Sequence, residues 1–194
     1  MKIDVEQLMS GLRTDHRNMA LLLDLLEMET ERLAASGEPD YDLMRDIMLY
    51  MIEYPDVVHH PKEDLIYQRL RSLHPEIDDD LKRVETDHQN IEKSGLTLKN
   101  DIEAMSVGAD LNRDEIIDNL RQYIEQLREH MYWEEKELFT LADELQSDGD
   151  WSAVVLKNDE IGDPLFGPRV ERKYRRLLAR IQRLVVWDCQ KYLA

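Results

Sequence analysis

Apolar residues recur at intervals of three and four along most of the chain, the period of an amphipathic helix. Leu8, Leu12, Met19, Leu22, Leu23, Leu26 and Leu33 fall on one such face, and Asp4 and Gln7 ahead of them have the spacing of a capping pair. Ser36-Gly37-Glu38-Pro39 breaks the pattern. A second run extends from Tyr41 to Leu73, interrupted by Pro55 and Pro61. His74-Pro75 turns the chain into a third, with Pro75 suited to the first helical position. That run reaches about Met105, where Ser106-Val107-Gly108-Ala109 stops it. Asn112 with Glu115 opens a fourth, which continues to Leu145. Four helices of roughly 30 residues, ~45 Å each, joined by short loops, predict an all-α, up-down-up-down four-helix bundle over residues 1–147. Residues 148–194 are expected to form a C-terminal helical extension packing on the bundle or on a partner subunit. It would comprise a short helix over Trp151–Lys157, an irregular stretch Gly162–Pro168, and an amphipathic helix carrying Tyr174, Leu177, Leu178, Ile181, Leu184 and Val185. No internal repeat or low-complexity segment is evident.

Composition narrows the class. Of 194 residues, 42% are hydrophobic and 35% charged, enough for one well-filled domain or a domain plus an appendage, and few are glycine or proline. The single cysteine, Cys189, excludes a disulfide framework or a Cys-rich metal site and suits a reducing compartment. No apolar run approaches the ~18 residues of a membrane span, and the first residues lack a signal peptide's apolar core. A cytoplasmic protein with no membrane partner is expected. The net charge of −17 argues against nucleic acid as a partner. That charge is uneven: residues 169–194 carry a net +6, leaving −23 on the rest. The basic tail is expected to lie on its own acidic body or on a twin subunit, so a homodimer is one expected assembly.

The histidines carry the candidate chemistry. Three of the six are followed four residues later by glutamate: His59 by Glu63, His88 by Glu92, His130 by Glu134. Spacing four on a helix places both side chains on one face, where imidazole and carboxylate can share a metal ion. Such ligands suit iron, manganese or zinc. A second regularity is depth. His16 and His88 each lie about 12 residues into helices 1 and 3, and His59 and His130 lie about 14 and 15 residues before the ends of helices 2 and 4. In an up-down bundle all four then sit roughly 18–23 Å from the same end. His74, in a turn, is at the wrong level and reads as structural.

Thr14-Asp15-His16, Val58-His59-His60-Pro61-Lys62-Glu63-Asp64, Thr86-Asp87-His88-Gln89 and Glu129-His130-Met131-Tyr132-Trp133-Glu134-Glu135 together resemble the hemerythrin-like, HHE cation-binding domain. The resemblance covers about residues 5–145 and implies a four-helix bundle holding a carboxylate-bridged pair of non-haem irons. The positions matching its metal ligands are His16, His59, Glu63, His88, His130 and Glu134, with Glu63 and Glu134 as bridges and oxide or hydroxide as a further bridge. Asp163-Pro164-Leu165-Phe166-Gly167 resembles a stretch of longer members.

Two features depart from the oxygen carriers of that family. The third helix has His88 with Glu92 where they have a second histidine, and His60, one residue from His59, should point about 100° away from the site. Glu92 is left open as ligand, outer acceptor or surface residue. Pro61 lies between two ligand positions, where a helix-interior proline costs ~3 kcal/mol. A ferritin-like site would need Glu-x-x-His on two helices, and only Glu85 with His88 supplies it. Zinc hydrolysis is disfavoured because a metal pair inside a bundle leaves little room for a large substrate. The expected function is a di-iron protein that binds or senses a small oxidant such as O2 or NO, a diatomic partner. The alternatives are iron storage or cluster repair, and an interaction module with a structural metal. Whether it is an enzyme is left open.

Overall fold

A computed structural model describes residues 5–145 and 162–191, the last segment with side chains through Leu184. Most of the described residues are helical, and none of them is in a strand. The first column is α1 (Val5–Ala34). The second is α2 (Tyr41–Tyr54), a π-helical turn (Pro55–His59) and α3 (His60–Leu73). A 3-10 turn (Pro75–Ile77) leads into the third column, α4 (Asp78–Ser106). The fourth is α5 (Arg113–Trp133), a second π-helical turn (Glu134–Phe139) and α6 (Thr140–Glu144). Helix α1 packs on α2 and α5, and α4 packs on α2 and α5, so consecutive columns are neighbours and the fourth closes on the first. This is the up-down-up-down bundle expected from the apolar spacing and short loops.

Local chemistry sets the breaks. Asp40 caps α2 by accepting from the Leu43 backbone N–H at 3.0 Å, and Asn112 caps α5 through the Glu115 N–H at 3.4 Å. Gly108, with φ 83°, ends the third column in the left-handed region that glycine enters without strain. Pro61 proves not to be a helix-interior residue. The π-helical turn before it, with the His60 N–H bonded back to the Pro55 carbonyl, lets α3 begin afresh at His60. Pro61 thereby falls in a first turn, where a missing N–H costs little.

The apolar interior is divided in two. One cluster includes Leu22, Leu26, Ile47, Met51, Leu98, Leu120 and Ile124. The other includes Leu8, Leu12, Ile66, Leu70, Leu81, Leu138 and Phe139. In every column the division falls at the candidate metal ligands, which form a buried polar layer across the bundle.

The extension packs against the first two columns. Asp163 closes a tight turn: its Oδ1 accepts from the Leu165 and Phe166 backbone N–H groups at 2.8 Å each, and its carbonyl accepts from the Gly167 N–H at 2.9 Å. A Cβ at Gly167 would collide with that carbonyl, so the turn requires glycine. Tyr50 and Asn18 donate to Asp163 Oδ2 at 3.0 and 3.2 Å. Beyond a 3-10 turn (Arg172–Tyr174), helix α7 (Arg175–Lys191) buries Leu177 and Ile181 in the first core cluster, together with Leu165 and Tyr174. Its basic residues meet acids of α2: Arg176 pairs with Asp46 through two bonds of 2.9 Å, and Arg180 with Asp40 at 2.8 Å. The Asp4 cap, the Trp151–Lys157 helix and the Val185 side chain lie outside what the structure describes.

Candidate metal centre

The four columns bring His16, His59, Glu63, His88, His130 and Glu134 to one place. Five of them are 6% exposed or less, and the His88 side chain is 15% exposed. His16 and His59 point their Nε2 atoms at each other, 3.1 Å apart. Glu63 Oε1 lies 3.0 Å from His59 Nε2 and 3.6 Å from His16 Nε2, while its other oxygen is 3.7 Å from His88 Nε2. Glu134 mirrors this. Its Oε2 is 3.3 Å from His130 Nε2 and 3.6 Å from His16 Nε2, and its Oε1 is 3.6 Å from His88 Nε2. Each carboxylate thus faces histidines on both sides. Ligand atoms sharing a metal at ~2.0–2.2 Å must lie roughly 3–4 Å apart, and these do.

The buried polar atoms are a second test of fit. Both oxygens of Glu63, Oε2 of Glu134 and Nε2 of His88 have no hydrogen-bond partner despite full burial. Leaving such groups unsatisfied is costly. A cation between them would satisfy these four atoms, each of which belongs to a candidate ligand.

Electrostatics points the same way. Burial opposes a charge on His59, but Glu63 and Asp15 outweigh it and hold its pKa up to about 10. Burial also opposes charge on His16 and His88, and neighbouring carboxylates raise both pKa values. Glu63 is held well below the carboxylate range, its burial overcome by His59 and His16. His130 behaves oppositely: burial and the adjacent His88 lower it. In the metal-free protein, protons on the histidines do the work of cations among the carboxylates, and metal uptake would displace them.

Around these residues stands a set of orienting groups. Asp15 Oδ2 lies 3.3 Å from His59 Nδ1 and is itself held by Lys62 at 3.2 Å. Glu135 Oε1 is 3.1 Å from His16 Nδ1. Asp87 Oδ2 is 3.8 Å from His130 Nδ1. A carboxylate behind the outer nitrogen of a ligating histidine fixes its tautomer and raises its basicity. Tyr67 donates to Glu134 Oε1 at 2.8 Å. Sequence reasoning missed these roles. The signal was present: each Thr-Asp-His motif supplies a histidine from its own column and an aspartate to the histidine of the next. The expected absence of an internal repeat is corrected at this level. Thr14-Asp15-His16 recurs as Thr86-Asp87-His88 after 72 residues, and His59 and Glu63 recur as His130 and Glu134 after 71.

His60 also departs from expectation. Its ring stacks on His88 with centroids 3.7 Å apart, and one of its nitrogens lies in a group with Glu63 and His88 whose ligand atoms are all within 4.8 Å of one another. The widened π-helical turn explains this, since a residue there no longer follows the 100° step of an α-helix. Glu92 is exposed and belongs to none of the ligand groups, although it lines a small cavity of about 20 Å³ beside the histidines. His74 is half-exposed and pairs with Glu76 at 2.7 Å, away from the centre.

Comparison with known families agrees with this geometry. The family model of the hemerythrin HHE cation-binding domain matches residues 8–142, well over half of the chain. The chain belongs to the hemerythrin HHE family. No curated protein and no solved structure matches it. Membership in the hemerythrin family makes the bundle a metal-binding domain, and the matched range spans all four columns and every histidine of the polar layer. No helix among the described residues of this hemerythrin domain is long and apolar enough to cross a membrane.

Proposed function

We propose that the chain is a non-haem di-iron protein that binds, senses or consumes a small oxidant such as O2 or NO, with His16, His59, Glu63, His88, His130 and Glu134 as the metal ligands. One observation carries the reading: Glu63 and Glu134 are fully buried and each turns its two oxygens toward histidines of opposite sides, the arrangement of bridging carboxylates. Two irons, when bound, supply a redox-active Lewis-acidic pair with coordination positions open to a diatomic guest. The chain supplies the rest. Asp15 and Glu135 hold the outer nitrogens of His59 and His16, and Tyr67 steadies Glu134 with its phenolic hydrogen. The adjoining cavity of about 20 Å³ has room for one molecule of water size, and Met19, Met51, Leu127 and Met131 in its wall favour a neutral guest over a charged one.

Metal analysis and optical spectroscopy on anaerobically purified protein test this. About two irons per chain and a charge-transfer band that changes on adding O2 or NO are expected, with His74→Ala unaffected and His59→Ala and His130→Ala depleted of metal. Iron that oxidises without a guest-dependent band would favour storage or cluster repair. Stable metal-free protein that takes up no iron would favour an interaction module and overturn the proposal.

A further inference from the structure

Three tyrosines line up between the polar layer and the extension. The ring of Tyr54 lies 6.5 Å from that of His59, centroid to centroid. Tyr54 stacks on Tyr50 at 5.0 Å with 14° between planes, and Tyr50 meets Tyr174 edge-on at 5.5 Å. All three are buried to 1% exposure or less. Phe166 closes the remaining edge of Tyr50 at 6.1 Å. The row ends beneath Glu53 and Lys173, whose side chains are 39% and 46% exposed.

Each phenol also has a base in reach. Tyr50 donates to Asp163 Oδ2 at 3.0 Å and Tyr174 to Glu53 Oε2 at 2.6 Å. Tyr54 faces the Asp15 carboxylate without a well-formed hydrogen bond. Packing alone does not ask for phenols here. Phenylalanine would fill the same volume without burying three hydroxyls beside carboxylates, and burying a polar group carries a cost. A hydroxyl beside a base matters when an electron leaves, because an oxidised phenol must shed its proton.

The geometry points to a redox relay, His59–Tyr54–Tyr50–Tyr174, that carries single electrons between the metal centre and the surface under the extension. The inference rests on the di-iron reading above. Electron transfer weakens steeply with distance, so short steps through the stacked rings outrun one long one. In the reducing direction a one-electron reductant at the Glu53–Lys173 surface is oxidised and the centre, previously oxidised by O2 or a peroxide, gains that electron. In between, Tyr50 gives up an electron, which crosses the stacked Tyr54 ring without oxidising it, and passes its proton to Asp163. Tyr174 then returns an electron to Tyr50 and its own proton to Glu53. The reductant restores Tyr174, and each proton returns from its carboxylate, so the chain itself is unchanged. Burial and the neighbouring carboxylates raise the phenol pKa values of Tyr50 and Tyr174, so neither phenol ionises before it is oxidised.

The test uses iron-loaded protein oxidised with hydrogen peroxide and frozen for electron paramagnetic resonance, followed by reduction with a one-electron dye in stopped flow. Wild type should show a tyrosyl signal that narrows on ring deuteration of tyrosine. Tyr50→Phe and Tyr174→Phe should each lose the relayed signal and slow reduction about tenfold or more, ~1.4 kcal/mol of barrier. Phe166→Leu loosens the same packing without removing a phenol and should reduce at the wild-type rate. Two irons per chain in every variant with equal signals and equal rates would overturn the relay and leave the di-iron reading standing. Slowing in Phe166→Leu equal to that in Tyr50→Phe would assign the effect to packing and likewise overturn it. Wild type that takes up no iron would overturn both.

Discussion

The centre is built twice, from residues 5–73 and again from residues 78–144, and the two halves differ in how tightly they are held. In the first, His16, His59 and Glu63 are at most 3% exposed, and Asp15 is fixed both to His59 and to Lys62. In the second, the His88 side chain is 15% exposed beneath His60, and Asp87 stands 3.8 Å from His130, beyond hydrogen-bond distance. The extension accounts for much of the contrast. Among the described residues, its hydrogen bonds and ion pairs to the bundle go to Asn18, Asp40, Asp42, Asp46, Tyr50 and Glu53, all in the first half. A near-repeat in sequence has become a more tightly held side and a looser side, and on the function proposed above a guest would enter most easily at His88.

The two carboxylates are where the halves meet, so they should fail together. On the di-iron reading proposed above, Glu63→Gln or Glu134→Gln should each reduce bound iron from two per chain to near zero, since neither ion would keep a full ligand set once a bridge is gone. Retention of one iron per chain would show the halves to be independent sites.

The matching histidines His59 and His130 should also respond to pH with opposite sign in the metal-free protein. The pKa of His59 is raised to about 10, its burial outweighed by Glu63 and Asp15. Its stabilisation is complete below the unfolded value of ~6.5 and is lost as pH rises through about 10, an effect on the order of a few kcal/mol. His130 is lowered by burial and by His88, so it resists protonation in the fold and destabilises as pH falls below ~6.5. Melting curves from pH 5 to pH 10 should therefore fall at both ends. His59→Gln should flatten the alkaline limb and His130→Gln the acid limb; the reverse assignment would refute the contrast.

Much of this was legible from residue spacing. Period, loops and caps specify the four columns, and equal depth singles out His16, His59, His88 and His130. What escaped has a common cause. The π-helical turns at Pro55–His59 and Glu134–Phe139 break the 3.6-residue step, and periodicity is blind to such a break. Spacing alone therefore aims His60 away from the centre and makes Pro61 a liability. Asp15, Asp87 and Tyr67 act on columns other than their own, and a linear pattern does not state which columns touch. Glu92 fits the spacing rule as well as Glu63 does, yet its side chain is exposed at the edge of the cavity and joins none of the ligand groups.

If the extension is what stiffens the first half, weakening its apolar contact should loosen that half. Leu177 is fully buried in the first core cluster. Leu177→Ala should cost ~2–5 kcal/mol and speed amide exchange in α2 more than in α5, which hydrogen exchange would read. Equal protection loss in both would detach the extension from the contrast.

The orienting aspartates give a finer comparison. Asp15→Asn should weaken metal binding about 10- to 100-fold, the usual cost of losing a carboxylate behind a ligating histidine. Asp87→Asn, which forfeits only a 3.8 Å contact, should cost much less. Competition with a chelator measures both, and equal losses would show that Asp87 closes on His130 when metal binds.

The smallest effect should come from the charged rim of the extension. Arg176 forms two bonds of 2.9 Å with Asp46, but its side chain is 51% exposed. Water and salt screen such a pair, and holding a long side chain in place costs entropy. Arg176→Ala is therefore expected to lower stability by only ~0–1 kcal/mol. The apolar residues beneath do the docking, while Arg176 and Arg180 set its register along α2. The substitution should also make stability less sensitive to added salt, because the lost attraction is the part that salt screens. A loss as large as that of Leu177→Ala, measured by urea denaturation at two ionic strengths, would mean that the basic tail is held to the acidic bundle chiefly by charge.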